Sequence, residues 1–175
     1  MSNKIGLFFG TDTGNTETIA NTIKEKIEST LSDTTVDVIE IYKKDSADLD
    51  AYSHLIIGMP TWYDGELQGD WESFLPKWEH VNFSGKHVAF FGLGDQYGYS
   101  FYFCDALGIF YTIAKEKGAQ ICGEWPTDGY EYDASKAEID GKLVGLCIDV
   151  DNQDDMTEDR LNTWIPQILS GFGLK

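Results

Sequence analysis

The sequence predicts an α/β domain with a parallel sheet, because apolar strand-like segments alternate with helix-like segments along the chain. The first pair is the clearest: apolar residues 5–9 end at a turn rich in hydroxyl side chains. An apolar residue then recurs at every fourth position, as in a helix with one apolar stripe, at Ile19, Ile23, Ile27 and Leu31. Residues 55–58 are continuously apolar, as buried parallel strands are. At 175 residues the chain suits a single domain, residues 1–175.

The remaining elements continue the alternation. Further strands are expected at residues 36–41 and 87–91, and a fifth in two pieces at 121–123 and 144–148. Helices are predicted at residues 70–78 and 103–117, and a last one from Thr157 through Leu169. Between the two pieces of the fifth strand, residues 125–142 are polar and aromatic. This composition predicts a long, mostly irregular insertion, typical of a functional loop or an interaction surface.

The acidic composition narrows the classes of partner. The chain has 30 acidic and 13 basic residues, a net charge of −17, which disfavours nucleic acid and anionic membrane surfaces. It favours a basic protein partner, although a need for solubility alone also accounts for it. No apolar run approaches the roughly 18 residues of a membrane span, and residues 1–4 lead directly into the first strand. We therefore expect a cytoplasmic protein.

Cysteines, histidines and acidic runs do not form a recognisable metal or catalytic set. The three cysteines, at positions 104, 122 and 147, lack CxxC spacing and indicate ordinary thiols in a reducing compartment. The histidines, at positions 54, 80 and 87, are scattered. Residues 149–154 resemble the start of a calcium loop but lack its glycine and its final glutamate. We predict a solvated acidic loop that caps the last helix.

The turn after the first strand, residues 11–16, has the composition of a phosphate cradle. It contains three threonines, an asparagine and a glycine, and no lysine or arginine. Backbone N–H groups at a helix N-terminus bind a phosphate without a fixed cation, and hydroxyl and amide side chains complete the shell. The lysine of a nucleotide triphosphate loop is missing, so a small phosphate ester is favoured. The alternative is a turn whose side chains serve only to cap the helix.

Two further loops leave the carboxyl ends of predicted strands, at residues 59–67 and 92–100. In a doubly wound sheet, ligands bind beyond these ends. Each loop carries an aromatic side chain, Trp62 in one and Tyr99 in the other. Two rings beside a phosphate cradle favour a flat, π-rich ligand between them.

Together these motifs resemble those of the flavodoxin family in its long-chain form. They span nearly the whole chain in the expected order: TDTGNT at residues 11–16, PTWYDGELQ at 60–68, GDQYGY at 94–99, YFCDALG at 102–108 and WPTDGY at 125–130. The resemblance implies a doubly wound five-stranded parallel sheet in the order 2-1-3-4-5 with non-covalently bound FMN. It also implies that residues 125–142 are a long insertion in the fifth strand.

The resemblance assigns cofactor-binding residues by motif. The loop at residues 11–16 would hold the phosphate, and Trp62 and Tyr99 would enclose the isoalloxazine ring. Backbone groups of residues 93–95 would meet the pyrimidine edge of the ring. Some family members carry Asn and Gln, which can add contacts to the ring, where this chain has Tyr102 and Cys104. The full set implied for FMN is Thr11, Asp12, Thr13, Gly14, Asn15, Thr16, Pro60, Thr61, Trp62, Tyr63, Asp64, Gly65, Leu93, Gly94, Asp95, Tyr99, Tyr102 and Cys104.

The function that the resemblance implies is a low-potential carrier of single electrons rather than an enzyme with its own substrate. Its partners would be basic redox proteins such as an NADP-linked flavodoxin reductase. We expect a monomer with no nucleic-acid or membrane partner. One alternative is an FMN-dependent NAD(P)H quinone reductase on the same fold, against which two bulky rings over the flavin argue. Another is a binding or sensor module in which FMN is structural.

Overall fold

The computed structural model describes residues 2–175, in which helices flank a central sheet. The strands are β1 (Asn3–Phe9), β2 (Thr34–Glu40), β3 (His54–Trp62), β4 (Glu66–Leu67), β5 (His87–Leu93), β6 (Gln120–Cys122), β7 (Trp125–Pro126), β8 (Glu138–Ile139), β9 (Lys142–Leu143) and β10 (Leu146–Ile148). The helices are α1 (Asn15–Thr30), α2 (Ser46–Asp50), α3 (Gly69–Trp78), α4 (Asp105–Glu116) and α5 (Asp154–Gly171). Within the described range, none of these helices has the length and apolar character needed to cross a bilayer.

The central sheet runs in the order β10-β5-β3-β1-β2, and neighbouring strands on this path are parallel. Two short strands share one side of β5: β6 pairs with its first half, from His87 to Ala89, and β10 with its second, from Phe91 to Leu93. The fifth strand of the predicted order 2-1-3-4-5 is therefore interrupted, and the predicted fold class is confirmed. The short strand β4 adds an antiparallel pair at the end of β3.

Burial explains why the apolar segments form the inner strands. Ile5, Leu7 and Phe8 of β1 are completely buried, as expected for a strand covered on both faces. The helix α1 buries most of the predicted stripe, through Ile19, Ile23 and Ile27. Leu31, the fourth predicted stripe residue, lies just beyond the last helical residue and is only partly buried.

The start of the last helix differs from the prediction, and the insertion contains short strands that were not predicted. The helix α5 starts at Asp154 rather than Thr157, and Asp154 and Asp155 occupy its first turn, where carboxylates interact favourably with the helix dipole. Residues 125–142 are mostly irregular, as predicted, but they also contain a feature that was not predicted: β7, β9 and β8 form a separate, small antiparallel sheet of three strands. Each of these strands has two residues, which is too short to give a periodic signal in the sequence.

Candidate functional site

A cleft lies beyond the carboxyl ends of β1, β3 and β5, where doubly wound sheets bind ligands. About 530 Å³ of space, part of it open to solvent, lies between its walls. All three predicted loops contribute to its walls. The lining residues are Thr11, Asp12, Thr13, Asn15, Thr16, Pro60, Thr61, Trp62, Leu93, Gly94, Asp95, Tyr99, Val150 and Asp151.

The loop before α1 leaves the N-terminus of this helix uncapped. Gly14 is the N-cap residue with a φ of 90°, a left-handed conformation that costs glycine little. Its N–H donates to Thr11 Oγ1 over 2.9 Å. Within residues 2–175 no side chain caps α1, so the geometry does not support the alternative of a purely capping turn. The first N–H groups of the helix, together with its dipole, favour an anion in the adjoining cleft.

The buried side chain of Gln68 holds the loop before α1 in place, a role that sequence analysis missed. Its side chain is almost completely buried, and Nε2 donates to Asp12 Oδ1 and to Asp70 Oδ2, each over 3.0 Å. Its Oε1 accepts from Trp71 N at 3.3 Å, so Gln68 is also the N-cap of α3. One side chain therefore joins the phosphate-type loop to the start of α3. One feature of the sequence could have indicated this role: Gln68 ends the PTWYDGELQ motif directly before a predicted helix.

The second and third loops bring two aromatic rings to the cleft, Trp62 and Tyr99. The indole Nε1 of Trp62 is buried and has no hydrogen-bond partner in the described chain. Because an unpaired buried N–H costs about 1–3 kcal/mol, this atom favours a ligand that offers an acceptor oxygen. Tyr63 lies edge-on to Tyr99, with ring centroids 6.2 Å apart, and has a left-handed φ of 43°.

Six predicted binding residues do not line the cleft in the described chain: Gly14, Tyr63, Asp64, Gly65, Tyr102 and Cys104. Tyr63, Asp64 and Gly65 form the turn between β3 and β4, and the ring of Tyr102 lies beside Gly65. Cys104 is completely buried as the N-cap residue of α4. Burial and the neighbouring Cys147 thiol raise the pKa of Cys104, so its thiol is neutral and faces the protein interior. Its side chain is not placed to contact a ligand in the cleft.

The segment after β10 matches the predicted solvated acidic loop only in part: Asp151, Asn152 and Asp154 are exposed, but the loop does not cap α5 through a side chain. Asp149 is completely buried, and its Oδ2 accepts from Gln96 N at 3.1 Å and from Gln96 Nε2 at 2.8 Å. The N-cap residue of α5 is Gln153, which makes no side-chain capping bond. The same segment supplies two cleft residues that sequence analysis missed, Val150 and Asp151. No motif marked them, because their position depends on the buried contact of Asp149 with a distant loop.

Carboxylates give one wall of the cleft a negative charge. Burial and the charges of Asp95 and Asp149 raise the pKa of Asp151. Burial also opposes ionisation of Asp95, but hydrogen bonds, foremost from Gly98 N and Asn152, outweigh it and hold the pKa of Asp95 below its usual value. The Asp95 carboxylate is therefore ionised at neutral pH. An anionic group in the cleft is consequently favoured at the α1 end and disfavoured at the Asp95 end.

The histidines and cysteines lie apart from this cleft. His54 and His87 stack, with ring centroids 5.3 Å apart, at the first residues of β3 and β5, the edge of the sheet opposite the cleft. The cysteines are free thiols. Within residues 2–175 no group of three or more His, Cys, Asp or Glu side chains is arranged to hold a metal ion.

Comparison with known proteins agrees with this geometry. The family model for flavodoxin matches residues 7–164. A flavodoxin of Synechococcus elongatus is 49% identical over 98% of this chain and 99% of its own length. Flavodoxin 1 of Escherichia coli is 49% identical over 93% of this chain and 91% of its own length. The crystal structure of Fusobacterium nucleatum flavodoxin bound to flavin mononucleotide superposes with a TM-score of 0.90 at 31% identity, over 97% of this chain and 98% of that one. The chain belongs to the flavodoxin family.

Proposed function

We propose that this chain binds one FMN non-covalently in the cleft and carries electrons one at a time between redox proteins. The observation that carries this proposal is the juxtaposition, in one cleft, of an uncapped helix N-terminus with the rings of Trp62 and Tyr99. When bound, FMN supplies the isoalloxazine ring that accepts and releases electrons. Membership of the flavodoxin family supports the same function.

Different residues of the cleft bind different parts of FMN. The loop at residues 11–16 holds the phosphate through N–H groups, hydroxyls and the Asn15 amide. Trp62 and Tyr99 enclose the ring and exclude water from it, and Leu93, Gly94 and Asp95 meet its polar edge with backbone groups. Pro60 and Thr61 shape the floor, and Thr61 Oγ1 also accepts from Ala106 N over 3.1 Å, which anchors the second loop to α4.

Trp62→Phe should weaken FMN binding by about tenfold, because it keeps an aromatic ring and removes the N–H that lacks an acceptor in the protein. Fluorescence titration of the apoprotein with FMN measures the change. Trp125→Phe is the matched control, since Trp125 belongs to β7 outside the cleft. Equal affinity of Trp62→Phe and the unmodified chain would show that the indole N–H does not bind the cofactor.

Redox partners are implied by the function, and we propose that they are basic proteins such as an NADP-linked flavodoxin reductase. The net charge of −17 favours such a partner, and the chain would meet it as a monomer. Exposed aromatic side chains form a rim in the second loop, in the third loop and directly after the third loop, namely Tyr63, Tyr97, Tyr99, Phe101 and Tyr102. Apolar contact at this rim would place the partner next to the flavin.

The free thiols of the three cysteines suit a reducing compartment such as the cytoplasm, which is where we propose that the protein acts.

Phe101→Ser should slow electron exchange with a flavodoxin reductase several-fold and leave FMN affinity unchanged. Phe101 is 63% exposed and does not line the cleft, so its ring is available to a partner but not to the cofactor. Stopped-flow mixing with the reduced reductase measures the rate. Tyr42→Ser is the control, because Tyr42 is 54% exposed in a loop outside this rim. If both variants slow the reaction equally, the rim is not a specific contact.

Electron exchange with a basic reductase should slow as salt rises, because exposed charges are screened beyond about 8 Å at physiological ionic strength. Reversing Glu66 in the second loop and Glu72 in α3 to Lys should slow the exchange further and flatten its salt dependence. Reversing Glu79 and Glu116 changes the net charge equally, from −17 to −17 + 4 = −13, and should have a smaller effect. A rate independent of salt would contradict electrostatic docking.

Mixing the holoprotein with NADPH under anaerobic conditions tests the proposed function against the quinone reductase alternative. A carrier should keep its flavin absorbance with NADPH alone and lose it only when a catalytic amount of flavodoxin reductase is added. Prompt bleaching by NADPH alone would show that the chain itself oxidises the nicotinamide, and would contradict the proposal.

A further inference from the structure

Gln96 is the one polar side chain of the third loop that is completely buried, although its neighbours Tyr97 and Gly98 are exposed. Its backbone N–H and its Nε2 both donate to Asp149 Oδ2, over 3.1 and 2.8 Å. Its Oε1 accepts from the backbone N–H of Glu131 over 2.6 Å. Both ends of the side-chain amide are therefore paired away from water.

These bonds join three segments that are distant in sequence. Gln96 belongs to the loop that supplies Leu93, Gly94, Asp95 and Tyr99 to the cleft, and Asp149 precedes the cleft residues Val150 and Asp151. Glu131 lies in the insertion between β7 and β8 and does not line the cleft. A second link runs in parallel, because Asn152 Nδ2 donates to Asp95 Oδ1 over 2.9 Å and to Asp149 Oδ1 over 3.1 Å.

The insertion also contacts the third loop through hydrogen bonds that are more exposed to water. Tyr97 Oη donates to Glu131 Oε2 over 3.0 Å, and Ser100 Oγ donates to Asp133 Oδ2 over 2.6 Å. Asp133 N donates to Ser100 O over 2.8 Å. Water competes for exposed groups such as these, whereas a buried group left unpaired is costly. The position of the loop should therefore depend most on the buried amide of Gln96.

We propose that Gln96 is a positioning residue for the ring end of the cofactor: it clamps the third loop between Asp149 and the insertion, and so holds residues 93–99 where the isoalloxazine binds. This inference rests on the proposed function. Because the bonds form within the protein, the loop is ordered before the ligand arrives, which lowers the entropic cost of binding. The insertion then acts on flavin affinity through Gln96, without touching the flavin.

The clamp predicts a particular pattern of ligand discrimination. FMN and riboflavin share the isoalloxazine ring, so loss of the clamp should weaken both by the same factor and leave their affinity ratio unchanged. Loss of phosphate contacts in the loop at residues 11–16 should instead weaken FMN alone. A general loss of stability would lower the melting temperature of the apoprotein without changing the affinity of the folded fraction.

Gln96→Met tests the clamp, because methionine has a similar shape and cannot make the two side-chain hydrogen bonds. Binding of FMN and of riboflavin to the folded apoprotein is measured by flavin fluorescence quenching. We expect both dissociation constants to rise about tenfold, a free-energy change of about 1.4 kcal/mol. Gln167→Met is the control, because the exposed Gln167 also makes a side-chain amide hydrogen bond near the insertion, from Nε2 to Glu124 O over 2.8 Å, and belongs to α5 rather than to the third loop. It should leave both constants unchanged.

If Gln96→Met binds riboflavin within about twofold of the unmodified chain, the free-energy change is well below 1.4 kcal/mol. This result would overturn the proposal that Gln96 positions the third loop. Failure of the unmodified chain to bind FMN would overturn the proposed function instead. Should Gln96→Met not fold, amide hydrogen exchange of the unmodified apoprotein decides the matter. By reciprocity, riboflavin should slow exchange at Glu131, which lies outside the cleft. An unchanged rate at Glu131, with slowed exchange at residues 93–95, would refute the coupling.

Discussion

Replacement of both Thr13 and Thr16 by valine should weaken FMN binding by about 100-fold or more and change riboflavin binding by less than about threefold. Valine keeps the branched shape, so only the hydroxyls are lost. A hydrogen bond to a charged group contributes about 1.5–3 kcal/mol, and two such bonds account for the expected loss. Riboflavin lacks the phosphate and therefore reports on the ring site alone. Titration of the apoprotein with each flavin gives both constants.

Thr22 and Thr30 of α1 provide the matched control for this pair. Their hydroxyls donate to carbonyl oxygens of the same helix, Thr18 O at 3.0 Å and Lys26 O at 2.7 Å. The Thr22→Val, Thr30→Val protein changes the same number of hydroxyls at the same type of residue and should bind both flavins normally. Equal losses of FMN and riboflavin in the Thr13→Val, Thr16→Val protein would remove this loop from phosphate binding.

Gly10→Ala should destabilise the protein by about 2–3 kcal/mol and weaken FMN binding as well. A Cβ at Gly10 would overlap Gln68 Oε1 and lie 2.7 Å from Trp71 Cδ1, and both of these side chains are buried. Relief of this overlap must move Gln68, which also holds Asp12 in the phosphate loop. Thermal unfolding of the apoprotein should show a fall in melting temperature of roughly 5–10 °C.

Gly69→Ala is the control for this substitution. Gly69 is the first residue of α3, and a Cβ there would meet no atom within 4 Å. Alanine also has a better helix propensity than glycine, so this variant should be at least as stable as the unmodified chain. If Gly10→Ala is equally stable, Gln68 and Trp71 move aside more easily than their burial indicates.

The sequence predicted the architecture well where a pattern repeats over several residues. The apolar stripe of α1 and the buried strands β1, β3 and β5 arise from local periodicity, which one chain segment carries by itself. The interrupted fifth strand was also predicted, since an apolar run stops before residue 125 and resumes near residue 144. Two-residue strands such as β7 and β9 carry no such period, so their small sheet was missed.

The cleft was predicted only in part, because several of its features depend on tertiary contacts. Gln68 bonds to Asp12, and Asp151 follows Asp149, which bonds to Gln96; no local pattern reveals these contacts between distant segments. Cys104 matches a family motif position, yet it is completely buried at the start of α4 rather than exposed in the cleft. Motif order therefore located the loops, and packing decided which of their side chains face the ligand.

Titration of the apoprotein with FMN, followed by calorimetry and flavin fluorescence together, tests the central claim most directly. The proposed site predicts one FMN per chain, and nearly complete quenching of flavin fluorescence because the ring lies between Trp62 and Tyr99. Replacement of both rings by leucine should abolish the quenching. Binding of FMN with undiminished fluorescence, or no binding at all, would contradict the assignment of this cleft as the flavin site.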